Sequence, residues 1–452
     1  MSFLSTGGLR NLKSWVSSRF TYDFLEQQAR KTGFLKRKRK LDPVYLVIVL
    51  IFGVSNHLHP TMEEIHRRYV DFDDSLPDQT PIKNQSFRKR FNKNLVEYLK
   101  VLLDYYIDQM NAQSPIKLKG IVQSFKDILI QDSSIIRLSK KLYELHPAAR
   151  SRNNSAGLKI HAVYSTSSHS IRSTTVTTER VHDAKMVDIG EEAQNSLYLF
   201  DLGYYSLKRF SKIHESGGFF ISRVKSNAVP EVKEIRKGCS DFLSIVDINR
   251  LTGIKLGDFL NVVPDHGVYD LTCSFIIGHH IENKTRMPII KDFRVICIWN
   301  FIAKKWQVYV TNLPDDSFSP GDIYDLYRYR WVIELIFKEL KSDYDLGKML
   351  LADAYLAYIH IYSMLLRLII SRELYCWIVS STQEEKKNKY TPMLWSKVFA
   401  EKALEFLSIL NQDLFGEDRV DSRWAKLEWS LRHLSKNRNN NQVLALNYSQ
   451  IL

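Results

Sequence analysis

The stretch YRYRWVIELIFKELKSD, Tyr327–Asp343, decides the reading of this chain. It has the spacing of a helix but carries an unusual polar load. On a helix turning about 100° per residue, Arg330, Glu334 and Lys341 fall within about 60° of Tyr327. Leu326, Ile333, Phe337 and Leu340 form an apolar stripe alongside. The four polar residues therefore sit at the edge of a buried face, where solvent is limited and side chains are easily ordered. The competing reading is a pair of surface ion pairs, Arg330–Glu334 and Glu334–Lys338, worth about 0.2–0.5 kcal/mol each. On the same wheel Arg328 points away, and Lys338 and Glu339 read as ordinary helix surface. Asp322 and Asp325, just upstream, read as helix-start residues.

Two earlier segments supply carboxylates that could meet this helix. In DILIQDSS (127–134) and SLYLFDLG (196–203), an apolar strand-like run ends in Asp132 and in Asp201. Carboxylates at adjacent strand ends repel one another unless a cation lies between them. An oxygen-rich site of this kind suits magnesium or manganese. A pair of such ions about 4 Å apart activates a water or hydroxyl and stabilises the leaving oxygen at a phosphodiester. Glu334 would be the third ligand and Arg330 a two-pronged phosphate clamp. Tyr327 would hydrogen-bond a phosphate or stack, and Lys341 would bind backbone further along. Asp183 and Asp188, in RVHDAKMVD, are alternatives for the second carboxylate. Asp201 is preferred because it ends a strand and precedes Gly203. His182 reads as a structural histidine before it reads as a ligand.

The whole chain is consistent with a polyanionic partner. It has 452 residues, 44% of them hydrophobic, and 64 Lys+Arg against 50 Asp+Glu, a net charge of +14. This length supports more than one core. The basic balance points to nucleic acid or an anionic surface. Cys239, Cys273, Cys297 and Cys376 form no CxxC pair, which argues against a disulfide framework or zinc knuckle and fits a reducing compartment. The opening MSFLSTGGLR has no signal-peptide pattern. VYLVIVLIF (44–52) is too short to span a bilayer. AYLAYIHIYSMLLRLII (354–370) contains His360 and Arg367 and, like the first, reads as a buried helix. No stable membrane association is expected, and the location is cytoplasmic, with the nucleoid.

The organisation changes character along the chain. Residues 1–120 read as a helical, basic, DNA-binding region. It includes KRKRK (36–40), a Thr-capped TMEEIHRRY helix, and a long helical pattern from Asn84 with Phe87, Phe91 and Leu95 on its apolar face. Either a helix-turn-helix-like module or a helical cap satisfies that pattern. Residues 121–218 alternate strands with one helix and contain a hairpin at 157–183. Residues 219–315 are mostly strand-like, DFLSIVDI (241–248) among them, and read as a β-rich insertion. Residues 316–380 return to helix and complete the core, and 381–452 form a helical C-terminal region with an Asn-rich loop near its end.

The spacing Tyr327, Arg330, Glu334, Lys341 resembles the YREK signature of bacterial insertion-sequence transposases with DDE catalysis. TNLP (311–314) and the DLG at 201–203 are similar to the same family, and QDSS (131–134) is a weaker match. The resemblance covers roughly residues 125–375. It implies an α/β, RNase H-like catalytic core interrupted by a β-rich insertion. It also implies a metal-binding catalytic triad of Asp132, Asp201 and Glu334 using Mg2+, with Mn2+ able to substitute, and DNA contacts from Tyr327, Arg330 and Lys341. The activity implied is cleavage at the element's ends and strand transfer of the cut-and-paste kind, often through a hairpin intermediate. The partners would be double-stranded DNA with terminal inverted repeats and target DNA, bound by a homodimer. Trp299 and Trp306 are both placed to hold a flipped base or to be core aromatics. The alternative is a DNA-binding descendant that has lost catalysis.

Overall fold

The computed structural model describes residues 11–54, 61–73, 82–112, 120–149, 155–183, 186, 189, 193–236, 250–265, 267–282, 285–344, 346, 352–382, 390–415 and 421–436. Cys239, Asp188, the DFLSIVDI segment and the Asn-rich tail lie outside them.

The strands are β1 (Asp127–Leu138), β2 (Ala156–Ser165), β3 (Ser170–Thr178), β4 (Ser196–Phe200), β5 (Phe219–Arg223), β6 (Glu231–Ile235), β7 (Val268–Glu282), β8 (Thr285–Asn300) and β9 (Lys305–Thr311). Among the described residues they form one nine-stranded sheet in the order β3-β2-β1-β4-β5-β9-β8-β7-β6. β1, β4 and β5 are parallel. β2 and β3 form the expected antiparallel hairpin on the β1 side. β9, β8, β7 and β6 continue the sheet from β5, all antiparallel. The segment read as an insertion thus extends the central sheet. It also holds a helix that its strand-like sequence concealed, Leu256–Val262.

Strand alternation sorts the sheet into two faces. On one face Ile128, Ile130, Ile160, Leu197 and Leu199 join a large core with the helices from both ends of the chain. On the other, Leu129, Tyr198, Phe200 and Phe220 pack with Phe210 and Ile213 of the helix Leu207–Glu215 and with Phe259. That helix stops at a glycine pair, with Gly217 in the left-handed region at φ 70°. The result is a mixed α/β core with helices on both faces of the sheet.

The helical ends of the chain share the first core. We label α1 (Leu12–Arg19), α2 (Tyr22–Lys31), α3 (Pro43–Ile48), α4 (Met62–Asp73), α5 (Asn84–Arg88) and α6 (Lys93–Ala112). Asp42 caps α3 by accepting from the Val44 and Tyr45 N–H groups, and Pro43 occupies its first turn. The chain then loosens into a π-turn at Val49–Gly53, fully buried as expected of VYLVIVLIF. Thr61 caps α4 through the Glu64 N–H. The expected long helix from Asn84 is broken into α5 and α6, yet Phe87, Phe91 and Leu95 all face the core. These helices pack with the long helix Ala354–Ser380 and with Pro392–Phe415 and Asp421–Leu434. The most apolar window of Ala354–Ser380 is long enough to cross a membrane but is 83% buried within the protein. It is apolar all round because protein surrounds it.

Candidate active site

Backbone register brings the two aspartates together. The parallel ladder between β1 and β4 ends at Gln131 opposite Phe200, so Asp132 and Asp201 are each the next residue along. Both share the parity of Ile130 and Leu199 and therefore face the helical core. Asp132 does not end its strand, as QDSS suggested. It lies mid-strand, because β2 continues to pair with β1 as far as Leu138. Asp201 does follow the last residue of β4, and the chain then turns through a short 3-10 segment at Leu202–Tyr204.

The 327–343 stretch approaches this point in three pieces. Ser319 and Asp322 form a reciprocal capping box, with Pro320 in the first turn, and start a helix that runs Pro320–Arg328. The backbone tightens where Arg330 N–H bonds Tyr327 C=O and Val332 N–H bonds Tyr329 C=O. A second helix runs Trp331–Lys338, and a π-turn follows at Glu339–Asp343. One straight helix is therefore not the geometry, and the phase of the wheel shifts on both sides of Glu334. Glu339, read as surface, is 4% exposed. It pairs with Arg372 and accepts from the Tyr344 hydroxyl at 2.8 Å. Arg328 stays exposed with Asp325, as the wheel indicates.

The Trp331–Lys338 helix packs on β1 and sets Glu334 beside the aspartates. The Arg330 guanidinium is the meeting point. Its Nη2 donates to Glu334 Oε1 at 2.5 Å, and its Nη1 lies 3.6 Å from Asp132 Oδ2 and 3.8 Å from Asp201 Oδ1. Arg330 and Asp132 are both largely buried, so that pair is weakly screened, whereas Asp201 and Glu334 are more exposed to solvent. Burial pushes the Asp132 carboxyl up to about 7. The Ser133 N–H and Arg330 oppose that shift, and Asp201 and Glu334 add to it. Burial by itself would lower Arg330, but Tyr327 and the neighbouring carboxylates raise it overall. Among the described residues no three His, Cys, Asp or Glu side chains are grouped closely enough to hold an ion as they stand. The three carboxylates are instead gathered around one guanidinium.

The remaining expected residues fall in different places. Tyr327 is buried, and its hydroxyl donates to the Phe200 carbonyl at 3.3 Å, next to Asp201. Its ring meets Tyr309 edge-on, and Arg330 lies over it at 5.9 Å. The hydroxyl expected to reach a phosphate is thus engaged with the end of β4. Lys341 is half-buried in the π-turn, and burial, then the field of Arg137 on β1, lowers its pKa. Trp299 and Trp306 face one another across β8 and β9 with centroids 5.2 Å apart. His182 is exposed, and Asp183 lies behind the sheet.

The sequence reading missed two features. Trp331, next to Arg330, is 60% exposed, large and apolar. The second is a polar cluster on the opposite face of β1 and β2. There Asp183 Oδ1 accepts from Ser133 Oγ at 3.0 Å and from Lys159 Nζ at 3.1 Å. His161 sits between Tyr204 and Thr177, at 3.1 and 3.0 Å. Burial pushes His161 down to about 4. The available signal was a lysine within the apolar strand sequence GLKIHAVY.

The transposase DDE domain family matches residues 123–366, and the chain belongs to that family. The transposase for insertion sequence element IS231B of Bacillus thuringiensis subsp. berliner is 23% identical over 349 residues, covering 71% of this chain and 70% of that one. The transposase for insertion sequence element IS1151 of Clostridium perfringens is 22% identical over 374 residues, covering 75% of each. Among solved structures, the piggyBac transposase synaptic complex with hairpin DNA aligns with 96% of this chain and 87% of its own, at 10% identity and a TM-score of 0.46.

Proposed function

We propose that the protein is a DNA transposase with an RNase H-like core. It would cut phosphodiesters at the ends of its element and join them to target DNA by a cut-and-paste route. The observation that supports this most is the convergence of Asp132, Asp201 and Glu334 on one cationic group. Three hard-oxygen donors facing one positive charge are the donor set a divalent cation takes. Asp132, Asp201 and Glu334 would hold Mg2+, or Mn2+ in its place. When bound, the metal supplies activation of the attacking water or hydroxyl and stabilisation of the leaving oxygen.

The chain's own residues carry the rest. Arg330 presents a planar fork of donors suited to a phosphate, and its charge balances the carboxylates. Tyr327 anchors the strand end that carries Asp201. Lys341, in the π-turn after the Trp331–Lys338 helix, would attract a DNA backbone, while the nearby Arg137 is paired with Glu179. The substrate would be double-stranded DNA bearing terminal inverted repeats. Holding two ends at once would call for a homodimer.

The test is cleavage of a supercoiled plasmid carrying the element's ends, in Mg2+. Wild type is expected to nick and then linearise at the ends, and Asp201→Asn to lose at least about 100-fold in rate. Equal rates for the two proteins would remove Asp201 from the site.

A further inference from the structure

We propose that Asp183, clamped by Lys159, is a positioning residue that sets the spacing of Asp132 and Asp201 from behind the sheet. This rests on the triad reading above. The β1–β4 ladder stops at Gln131 and Phe200, one residue short of both aspartates. Beyond it β1 continues against β2, while the chain after Phe200 turns away. Backbone pairing therefore does not fix the distance between the two carboxylates. The cluster on the opposite face ties the two segments together.

Asp183 touches both sides of that gap. Its Oδ1 accepts from Ser133 Oγ, on the residue after Asp132. Its Oδ2 lies against Gly203, two residues after Asp201, so close that a Cβ there would stand 3.1 Å away. Gly203 does not have a positive φ, so it is the close approach of Asp183, not the backbone conformation, that a side chain here would strain. Lys159 holds Asp183 in place. Its Nζ donates to Asp183 at 3.1 Å and to the Val181 carbonyl at 3.0 Å. His161 adds a second tie, with Nδ1 3.1 Å from the Tyr204 hydroxyl and 3.5 Å from Asp183. Lys159 and His161 are both buried. A buried ion pair adds little stability over apolar packing, and its best-attested use is to fix register. Asp183 faces away from Arg330, which explains why an aspartate so near the site is not one of the three gathered there.

The experiment measures Mn2+ affinity of the free full-length protein by calorimetry, cleavage kcat, and half-saturating end-DNA concentration. Wild type should bind Mn2+ and Asp132→Asn should not; failure here overturns the triad reading, and this proposal with it. Given that result, Asp183→Asn is expected to weaken Mn2+ binding about 10-fold and lower kcat about 10- to 100-fold, with end binding within about twofold of wild type. Lys159→Met should give similar losses, and the double variant should be no worse than either single one. Gly203→Ala keeps every donor and acceptor of the cluster and covers the case in which Asp183→Asn does not fold. It should also lower kcat, and by less in an Asp183→Ala background, where the space is open. Mn2+ affinity and kcat within twofold of wild type in Asp183→Asn, or in Gly203→Ala should the first not fold, would overturn the proposal while leaving the triad intact.

Discussion

Asp132 carries a desolvation cost when it is ionised. Burial holds its carboxyl up to about 7, against an ordinary value of 3.8. Between these values the folded state binds more protons than the unfolded state. The contribution to stability is fully present below the ordinary carboxylate range and is lost as pH rises through about 7. Asp132→Asn mimics the protonated form. It is expected to unfold at nearly the same urea concentration as wild type at pH 4, and to be more stable by about 4 kcal/mol at pH 8. A difference that does not change with pH would contradict this. Single residues were unevenly legible in the sequence. Asp201 was readable because a strand ends and a turn begins there. Asp132 was readable as a carboxylate beside an apolar run but misplaced within its strand, since the polar QDSS looks like a terminus and the pairing that continues β1 is long-range. Lys159 and Asp183 were not legible as a pair, because 24 residues separate them and only the folded sheet brings them together.

At the scale of elements, the 327–343 stretch shows what a helical wheel can and cannot carry. Its local faces are right: Leu326, Ile333, Phe337 and Leu340 are all buried. Its long-range phase is not, because the chain tightens at Arg330 and loosens into the π-turn. Glu339 is turned inward to Arg372 as a result. Lys341, half-buried in the π-turn, lies within the field of Arg137 on β1. Lys341→Ala is therefore expected to weaken DNA-end binding evenly across sequences and to reduce the slope of log affinity against log salt by about 1, with little change in melting temperature. An unchanged salt slope would remove Lys341 from the DNA interface. The hairpin at β2–β3 was legible from alternation and β-branched residues. The continuation of the sheet from β5 into β9 was not, since strand character is local and strand partnership is not.

Across the whole molecule, the two helical ends are bound to the site through one core. Arg367, fully buried on Ala354–Ser380, donates to the Val54 carbonyl at 3.0 Å and the Ala400 carbonyl at 3.2 Å. Its guanidinium lies 4.9 Å from the centre of the Tyr344 ring, just past the π-turn. N-terminal region, C-terminal region and the end of the site thus meet at one side chain. Arg367→Met is expected to cost about 3 kcal/mol, read from urea unfolding, because two buried carbonyls lose a charged donor. A loss below about 0.5 kcal/mol would show that the ends are not coupled there. The central claim concerns Glu334, and single-turnover cleavage on DNA carrying the element's ends tests it most directly. With Mg2+ present, Glu334→Gln is predicted to bind the ends with wild-type affinity and to leave the strands uncut. Cleavage by Glu334→Gln at the wild-type rate would contradict the account.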